Sequence, residues 1–422
     1  MACGGDEVAG RAAEAAARRS YGKLVALLAA RTRDLAAAED ALSDAFAAAL
    51  VDWPQRGIPL KPEAWLVAVA KRKAIDAARR RRRGEAVGEA LRLLAEEIED
   101  RAASAGDIPD HRLALMFACA HPAIDPGIRA PLILQTILGL DAAAIASAFL
   151  VAPAAMGQRL ARAKHKIRGA GIPLRVPGRG ELAERLGAVL DAIYAAFAEG
   201  WSDPAGTDAR RRNLAEEGIW LGRLLVSLLP EEPEALGLLA LMLHAEARRS
   251  ARRDKAGAYV PLDRQDPADW DAALIDEAEA LLRRASAKGA IGRYQLEAAV
   301  QSAHAVRRRA GQADWSAIER LYDALFELTA SPVVAINRAI ARAEASGAEA
   351  GLAALDELAS EPRLSEYQPY WAARAGLLAR GGRIDAADYA YARAIGLEAD
   401  PALRRFLQER RAELEGARLR AT

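Results

Sequence analysis

Two carboxylates stand four residues apart in the segment 38–46, which reads Ala-Glu-Asp-Ala-Leu-Ser-Asp-Ala-Phe. On an α-helix, residues i and i+4 project from one face, so Asp40 and Asp44 would share it. Like charges at that spacing cost a helix a little stability. The pair therefore indicates either simple solvation or an acidic surface that docks a basic partner helix, and both interpretations stay open.

A second segment combines aromatic and cationic side chains. Between Lys71 and Arg83 there are eight basic residues and one acid, and the apolar stretch before them contains Trp65. Unstacked bases lie on aromatic faces while arginines hold the phosphate backbone, so this segment and Trp53 predict a site for single-stranded nucleic acid. Trp65 also begins an apolar run, which fits a core position equally well.

A third segment predicts a helix-turn-helix. Asp141 is placed to cap a short helix that ends near Phe149, and Pro153 opens a second helix after a three-residue turn. The inward stripe of the second helix is Met156, Leu160, Ala163 and Ile167, and the polar residues left outside are Gln158, Arg159, Arg162, Lys164, Lys166 and Arg168. The first of these would meet base edges in a major groove and the later ones phosphates. An ordinary helical hairpin with a solvated basic face would show the same pattern.

No pattern of an enzyme is present. The sequence has no phosphate loop ending in Gly-Lys-Ser/Thr, no paired Cys/His ligand set and no Gly-x-Ser-x-Gly. Cys119 lies between His111 and His121, but the segment around it reads more simply as the end of a buried helix than as a metal site. We predict no enzymatic activity, no cofactor and no metal.

The composition limits the cellular compartments in which we expect the protein. The two cysteines are too few for a disulfide framework, and no apolar stretch reaches the roughly 20 residues of a membrane span. The first ten residues contain two acids and no basic segment, unlike a signal peptide. These features predict a cytoplasmic protein without membrane association.

The net charge of +1 hides an uneven distribution. Residues 84–110 hold eight acids and two arginines, whereas residues 142–180 hold seven basic residues and no acid. Two basic patches separated by an acidic connector indicate two polyanion-binding surfaces on one chain.

Helix formers dominate throughout, and apolar residues recur at three- and four-residue spacing, so we expect an all-α protein. The third part of the chain contains an internal repeat. Ala339, Gly351, Leu355 and Leu358 recur 36 residues later as Ala375, Ala387, Tyr391 and Ala394. Small residues at helix crossings with a large one at the seam predict stacked helical hairpins, an α-solenoid of tetratricopeptide-like type. Helical packing that repeats by chance is the alternative.

Together these segments resemble an RNA polymerase sigma factor of the extracytoplasmic-function (ECF) type. The segment 38–46 is similar to sigma region 2.2, which docks on the coiled coil of the polymerase clamp. Residues 64–83 are similar to regions 2.3 and 2.4, which melt and read the −10 element, and the helix-turn-helix is similar to region 4, which reads the −35 element. The third part resembles the C-terminal extension of the ECF subgroup that carries tetratricopeptide-like repeats.

The resemblance implies a domain order. It gives a sigma-2 domain at 1–83, an acidic linker at 84–107, a sigma-4 helix-turn-helix domain at 108–171, a connector at 172–180 and a repeat domain at 181–422. Its implied partners are bacterial core RNA polymerase, through the clamp coiled coil and the flap, and promoter DNA. It also implies a nucleoid location when the protein is bound to polymerase. A protein or peptide partner of the repeat domain is left open.

The resemblance also implies functional residues. For core polymerase they are Glu39, Asp40, Asp44 and Phe46. For the −10 element they are Gln55, Arg56, Trp65, Lys71, Arg72, Lys73, Arg79 and Arg80, with Gln55 and Arg56 expected in a loop. For the −35 element they are Gln158, Arg159, Arg162, Lys164, Lys166 and Arg168. Arg72 and Ala155 depart from the residues common in the family, so no promoter sequence is carried over.

Two other classes of function compete with this interpretation. A DNA-binding regulator with a repeat-domain sensor would explain the helix-turn-helix and the repeats. It would not explain the acidic pair Asp40 and Asp44 or the residues 65–83. A repeat scaffold or an enzyme is the third class.

Overall fold

The computed structural model describes residues 3–81, 110–149, 151–201 and 209–421. Within them every regular element is a helix, apart from one isolated β-bridge between Arg253 and Tyr259. The expectation of an all-α protein is confirmed. Among the described helices, none is both long enough and apolar enough to cross a bilayer. The predicted acidic linker, 84–107, lies outside the described residues.

The chain divides into two compact units, Met1–Gly200 with Ala209–Gly218 and Trp201–Asp208 with Ile219–Thr422. The helices of the first unit are α1 (Cys3–Thr32), α2 (Leu35–Arg56), α3 (Pro62–Arg81), α4 (Arg112–Cys119), α5 (Pro126–Leu138), α6 (Ala142–Ala148), α7 (Pro153–Gly169), α8 (Arg179–Trp201) and α9 (Ala209–Leu228), which continues into the second unit.

The first unit is built on two helices that many others contact. Helix α1 packs against α2 and α3, and also against α4 and α5. Helix α4 is buried along its whole length from Leu113 to Cys119, as expected for an apolar helix with neighbours on every side. Arg185 of α8 donates to the carbonyl of Phe117 in α4 at 2.9 Å. Helices α1 and α4 therefore join α2 and α3 to the helices that follow residue 110.

Helices α1 and α5 approach each other at a glycine. A Cβ atom added to Gly22 would lie 2.2 Å from the carbonyl oxygen of Ile137, far inside contact distance. Only glycine allows two backbones to come this close, although it costs an isolated helix about 1 kcal/mol relative to alanine. The α1–α5 crossing therefore depends on this one position.

Helix α2 continues further than its sequence indicates. Its N-cap is Asp34, which accepts from the backbone N–H of Ala37, and the helix passes through Pro54 before it ends at Gly57 with φ of 84°. Gln55 and Arg56 were expected in a loop, and that prediction is wrong because both lie in the last turn of α2. A proline this near the C-terminus removes one backbone hydrogen bond while the helix continues around it.

The second unit follows a simple order in which most helices contact the next one along the chain. Its helices after α9 are α10 (Pro233–Ala247), α11 (Ala272–Ser286), α12 (Arg293–Ala305), α13 (Arg307–Ala310), α14 (Trp315–Thr329), α15 (Pro332–Ser346), α16 (Ala348–Asp356), α17 (Gln368–Arg380), α18 (Ile384–Leu397) and α19 (Pro401–Ala421). Helix α10 is buried continuously from Ala235 to His244, so it forms the centre of the first part of this unit.

The residues of the sequence repeat, apart from Leu358, lie in two successive helical hairpins. Helices α15 and α16 form one hairpin, and α17 and α18 form the next. A Cβ atom on Gly351 would stand 2.7 Å from the carbonyl oxygen of Ala339, while Leu355 and Tyr391 are buried in the same core cluster. Gly351 therefore permits a close crossing in the first hairpin, and the tetratricopeptide-like solenoid stays a prediction.

Candidate nucleic-acid interface

The acidic residues of α2 separate into an exposed pair and a buried one. Asp40 and Asp44 are exposed, and Phe46 is half-buried. Glu39 is only 8% exposed although it belongs to the same predicted surface. Its burial comes from a helix that is distant in sequence.

That helix is α7, whose Lys164 forms an ion pair with Oε2 of Glu39. Burial raises the pKa of the Glu39 carboxyl, while Lys164 opposes the change and Asp40 adds to it. The other oxygen, Oε1, is buried without a hydrogen-bond partner among the described residues. A buried carboxylate with only one oxygen paired to a lysine is incompletely compensated for its lost hydration. Removing that lysine would leave the charge unpaired and destabilise the fold.

A second ion pair joins the same two helices. Arg168 of α7 lies 2.9 Å from Oδ2 of Asp34, and the other carboxylate oxygen of Asp34 accepts from the N–H of Ala37. Asp34 therefore caps α2 and holds α7 at once. Lys164 and Arg168 are four residues apart, so both project from one edge of α7 toward α2.

The two tryptophans near α3 have different surroundings. Their rings meet edge to face, with centroids 5.6 Å apart. Trp53 is 2% exposed, so the prediction that it stacks on a base is wrong, whereas Trp65 is half-buried. The spacing Leu42, Ala49, Trp53 on the buried stripe of α2 was a signal for the core position of Trp53.

The cations of α3 follow Trp65 along the same helix. Arg72 and Lys73 are exposed, and Lys71 is half-buried. Gln55 and Arg56 are exposed at the end of α2. Arg79 and Arg80 belong to α3, but their side chains lie outside the described part of the chain. These exposed polar residues stand on two helices that pack against each other.

Helices α6 and α7 lie at the positions that the sequence predicted for the third segment, while their assignment as a sigma-4 helix-turn-helix stays a prediction. Asp141 Oδ1 accepts from the N–H of Ala144 at 2.7 Å, which confirms the cap. The stripe Met156, Leu160, Ala163 and Ile167 is buried, as predicted.

The predicted DNA-binding residues of α7 divide into two sets. Gln158, Arg162 and Lys166 are exposed and spaced four residues apart, so they share one face. Lys164 and Arg168 hold α2, and Arg159 is half-buried with Nη2 3.4 Å from the carbonyl oxygen of Gly127. One face of α7 is thus open, and one edge of it is occupied by the protein itself.

The histidine and cysteine side chains near α4 have structural roles. Cys119 is buried against Thr136, with 3.5 Å between sulfur and hydroxyl, and burial raises the pKa of its thiol to about 12. His121 accepts from the N–H of Ala123. Within the described residues, no group of three or more His, Cys, Asp or Glu side chains is arranged to hold a metal ion.

Residues 17–84 match sigma-70 region 2, so α1 to α3 form a sigma region 2 domain and the chain is a sigma factor-like protein. Such a region implies binding to core RNA polymerase. Residues 185–286 match a family of unknown function, DUF6596.

The chain is 41% identical over 371 residues to the uncharacterized protein R00370 of Rhizobium meliloti (strain 1021), covering 86% of this chain and 87% of that protein. The chain belongs to the same family as that protein. No solved structure matches it.

Proposed function

We propose that this protein is an ECF-type sigma factor that binds core polymerase and starts transcription at promoters with −35 and −10 elements. One observation carries the proposal. Within the region that matches sigma-70 region 2, the exposed acidic pair Asp40 and Asp44 stands on α2, and the packed neighbour α3 carries the exposed cations Arg72 and Lys73. A protein docking surface and a nucleic-acid surface thus share one small helical domain.

In this proposal α2 binds the polymerase clamp through Glu39, Asp40, Asp44 and Phe46. Close charge pairs across an interface steer association and fix its register. The face formed by Trp65 and the cations of α3 binds the opened −10 strand, with a base against the aromatic ring and phosphates against the arginines. Gln55 and Arg56 act from the end of α2 rather than from a loop.

Helices α6 and α7 would read the −35 element as a sigma-4 helix-turn-helix. Gln158, Arg162 and Lys166 form the exposed face that enters the major groove, and Lys164 and Arg168 join them only when α7 leaves α2. The second unit, with its hairpins α15–α16 and α17–α18, regulates this activity in cis or recruits a protein partner. Its stacked-helix surface suits binding of a helix or peptide.

The test is in-vitro transcription with purified core polymerase. We expect the full chain to direct initiation at its promoters and to bind promoter DNA specifically only when polymerase is present. Specific DNA binding without polymerase, together with no initiation in its presence, would contradict the proposal and favour a DNA-binding regulator.

A first prediction concerns strand opening. In the double variant Arg72→Ala, Lys73→Ala we expect promoter binding in the closed complex to persist while strand opening falls. Both side chains are exposed on α3, so the fold should stay intact. Losing the cations that hold the phosphates of the single strand should weaken opening and reduce its salt dependence. Permanganate reactivity of the −10 thymines measures opening, and Lys61→Ala, an exposed lysine before α3, is the matched control. Normal opening in the double variant would remove this assignment.

A second prediction separates base reading from phosphate binding on one face of α7. Gln158→Ala should relax the sequence preference at one promoter position by about 1–3 kcal/mol. Lys166→Ala should weaken binding to all promoters alike. It should also reduce the slope of log affinity against log salt concentration by about one. The measurement is binding of the polymerase complex to a promoter library at several salt concentrations. Identical behaviour of the two variants would mean that α7 enters the groove in another orientation.

A further inference from the structure

Three arginines of the second unit gather around a buried tryptophan, and we call Arg248, Arg252 and Arg307 the arginine cluster. The guanidinium carbons of Arg248 and Arg307 lie 6.0 Å and 5.8 Å from the ring centroid of Trp270, which is buried. Burial, with the charges of Arg252 and Arg307, lowers the pKa of the Arg248 guanidinium to about 10. All three side chains are half-buried, so three positive charges share a region with limited access to water.

The arginine cluster has no compensating negative charge in the described part of the chain. None of its three members forms an ion pair with a described carboxylate, and two neighbouring acids are engaged elsewhere, since Asp400 pairs with Arg253 and Glu246 pairs with Arg249. Burying a charge is costly unless an opposite charge and hydrogen bonds compensate for its lost hydration. The cluster therefore holds an excess of positive charge.

Hydrogen bonds position Arg248 and Arg252 but use only part of their donors. Nη2 of Arg248 donates to Oε1 of Gln301 at 2.6 Å, and Nη1 of Arg252 donates to the carbonyl oxygen of Trp201 at 2.9 Å. Trp201 belongs to the second unit, as the arginines do. A guanidinium has five N–H donors, so most donors of these two arginines have no partner among the described residues.

Arg307 fixes the backbone beside the cluster. It begins α13, and its Nη1 donates to the carbonyl oxygen of Leu262 at 2.7 Å while its Nη2 donates to that of Asp263 at 3.1 Å. These bonds hold the segment that leads to Trp270 against α13. Because the positions are set within the fold, a ligand that binds here orders few additional groups.

Two tryptophans add neutral donors to the same region. The indole nitrogen Nε1 of Trp270 is buried and has no hydrogen-bond partner among the described residues. The same holds for Nε1 of Trp201, whose ring centroid lies 3.8 Å from the guanidinium carbon of Arg252. An indole nitrogen can only donate a hydrogen bond. Cations and unpartnered N–H donors thus lie together, and a group with negative charge and several acceptor oxygens would complement both.

We propose that the arginine cluster around Trp270 binds a phosphoryl group. A phosphoryl group carries a charge of about −1.5 to −2 at pH 7 and three strong acceptor oxygens, whereas a carboxylate carries one charge and two oxygens. Arginine forks match phosphate oxygens with two parallel hydrogen bonds. Free phosphate and small phosphate esters share this chemistry. The site uses no residue that the proposed function assigns to polymerase or promoter DNA, so the two proposals stand or fall separately.

Titration calorimetry on the full chain measures the binding, at an ionic strength held constant with sodium chloride. The probes are inorganic phosphate, glycerol phosphate as a small ester, and acetate as a carboxylate. We expect saturable binding of a phosphoryl probe with a Kd below about 1 mM, and acetate binding at least about tenfold weaker. Binding of phosphate alone would indicate the free ion, and binding of the ester would indicate a phosphorylated small molecule; either result supports the site. Acetate binding as tight as that of both phosphoryl probes would overturn it.

A charge-removing variant and a matched control test whether the cluster is the site. Arg248→Gln should weaken binding of the phosphoryl probe at least about tenfold, because it removes a cation with unpartnered donors. Arg308→Gln removes the same charge from an exposed position next to Arg307 and should bind as the wild-type chain does. Equal affinities in the two variants would overturn the proposal.

Hydrogen exchange locates the bound group, since basic residues of the first unit also attract phosphate. Saturating probe should slow amide exchange in residues 248–270 of the wild-type chain and of Arg308→Gln, but not of Arg248→Gln. Slower exchange in the first unit alone would contradict the assignment.

The same data separate ligand binding from a structural role. Without phosphate, the exchange of the α10 amides should be unchanged or slower in Arg248→Gln, because the variant relieves repulsion among buried cations. Arg252→Gln removes another cation of the cluster and leaves the bond between Arg248 and Gln301 in place, so it should show the same loss of affinity. Unfolding of the second unit in Arg248→Gln, with normal phosphate binding in Arg252→Gln, would make the cluster structural and the proposal wrong.

Discussion

We expect the double variant Asp40→Ala, Asp44→Ala to bind core polymerase at least about 30-fold more weakly than the wild-type chain. Loss of one partner from close interfacial charge pairs costs about 2–5 kcal/mol. Both carboxylates are exposed on α2, and alanine favours a helix more than aspartate does. Removing the like-charged pair should therefore leave the domain folded or slightly more stable.

The measurement is equilibrium binding of labelled protein to core polymerase, with circular dichroism to confirm the helix content. Asp52→Ala is the matched control, since it removes an acid from the last turns of the same helix, outside the predicted surface. If the folded double variant binds as well as wild type, α2 does not dock through these carboxylates, and the polymerase surface must be sought elsewhere on the region 2 domain.

The second large effect concerns acid stability of the second unit. His244 and His304 are 2% and 7% exposed. Burial, followed by the charge of Arg248, lowers the pKa of each to about 4, and Arg307 contributes at His304. An unfolded histidine has a pKa near 6.5, so folding favours the neutral ring. The stability contribution is complete above about pH 6.5 and is lost as the pH falls toward 4. Between pH 7 and 4.5 protonation of His304 should lower the free energy of unfolding by about 2.5 kcal/mol, and protonation of His244 by less, because Glu279 Oε1 lies 3.5 Å from its Nε2 and can pair with the charged ring.

Hydrogen exchange of the α10 amides, corrected for the intrinsic rate at each pH, measures this loss. We expect a steep decrease in the opening free energy of wild-type α10 between pH 7 and 4.5. His244→Asn and His304→Asn should each make the opening free energy less dependent on pH. A constant loss of stability at pH 7 would not affect this comparison. His165→Asn, at an exposed position in the first unit, should not change it. An equally steep dependence in all three variants would show that other groups govern acid unfolding.

The sequence predicted features that follow from periodicity and local chemistry. The buried stripe of α7 and the Asp141 cap were predicted because apolar spacing and capping residues act within a few residues of each other. The buried positions of Ala339, Ala375 and Ala387 follow from the same helical spacing, whereas the solenoid stays a prediction. The exposed positions of Asp40 and Asp44 follow from their place opposite the apolar stripe of α2.

The contacts between regions were not predictable in this way. Lys164 and Glu39 are 125 residues apart, and Arg168 and Asp34 are 134 apart. No periodic pattern links such positions, and each residue looks like an ordinary surface charge in its own helix. Trp53 and the end of α2 were mispredicted because Pro54 indicated a loop, whereas the helix accommodates it near its terminus.

The apolar packing between α1 and α5 and the ion pairs between α2 and α7 respond differently to temperature and salt. Separating the helices exposes apolar side chains such as Ile137, which is 2% exposed, so the separation has a positive heat-capacity change and the contact weakens on cooling. The Arg168–Asp34 pair is open to solvent on the arginine side, so ions screen it over a Debye length of about 8 Å at physiological salt. Low temperature and high ionic strength therefore both weaken this contact, the first through its apolar packing and the second through its charges.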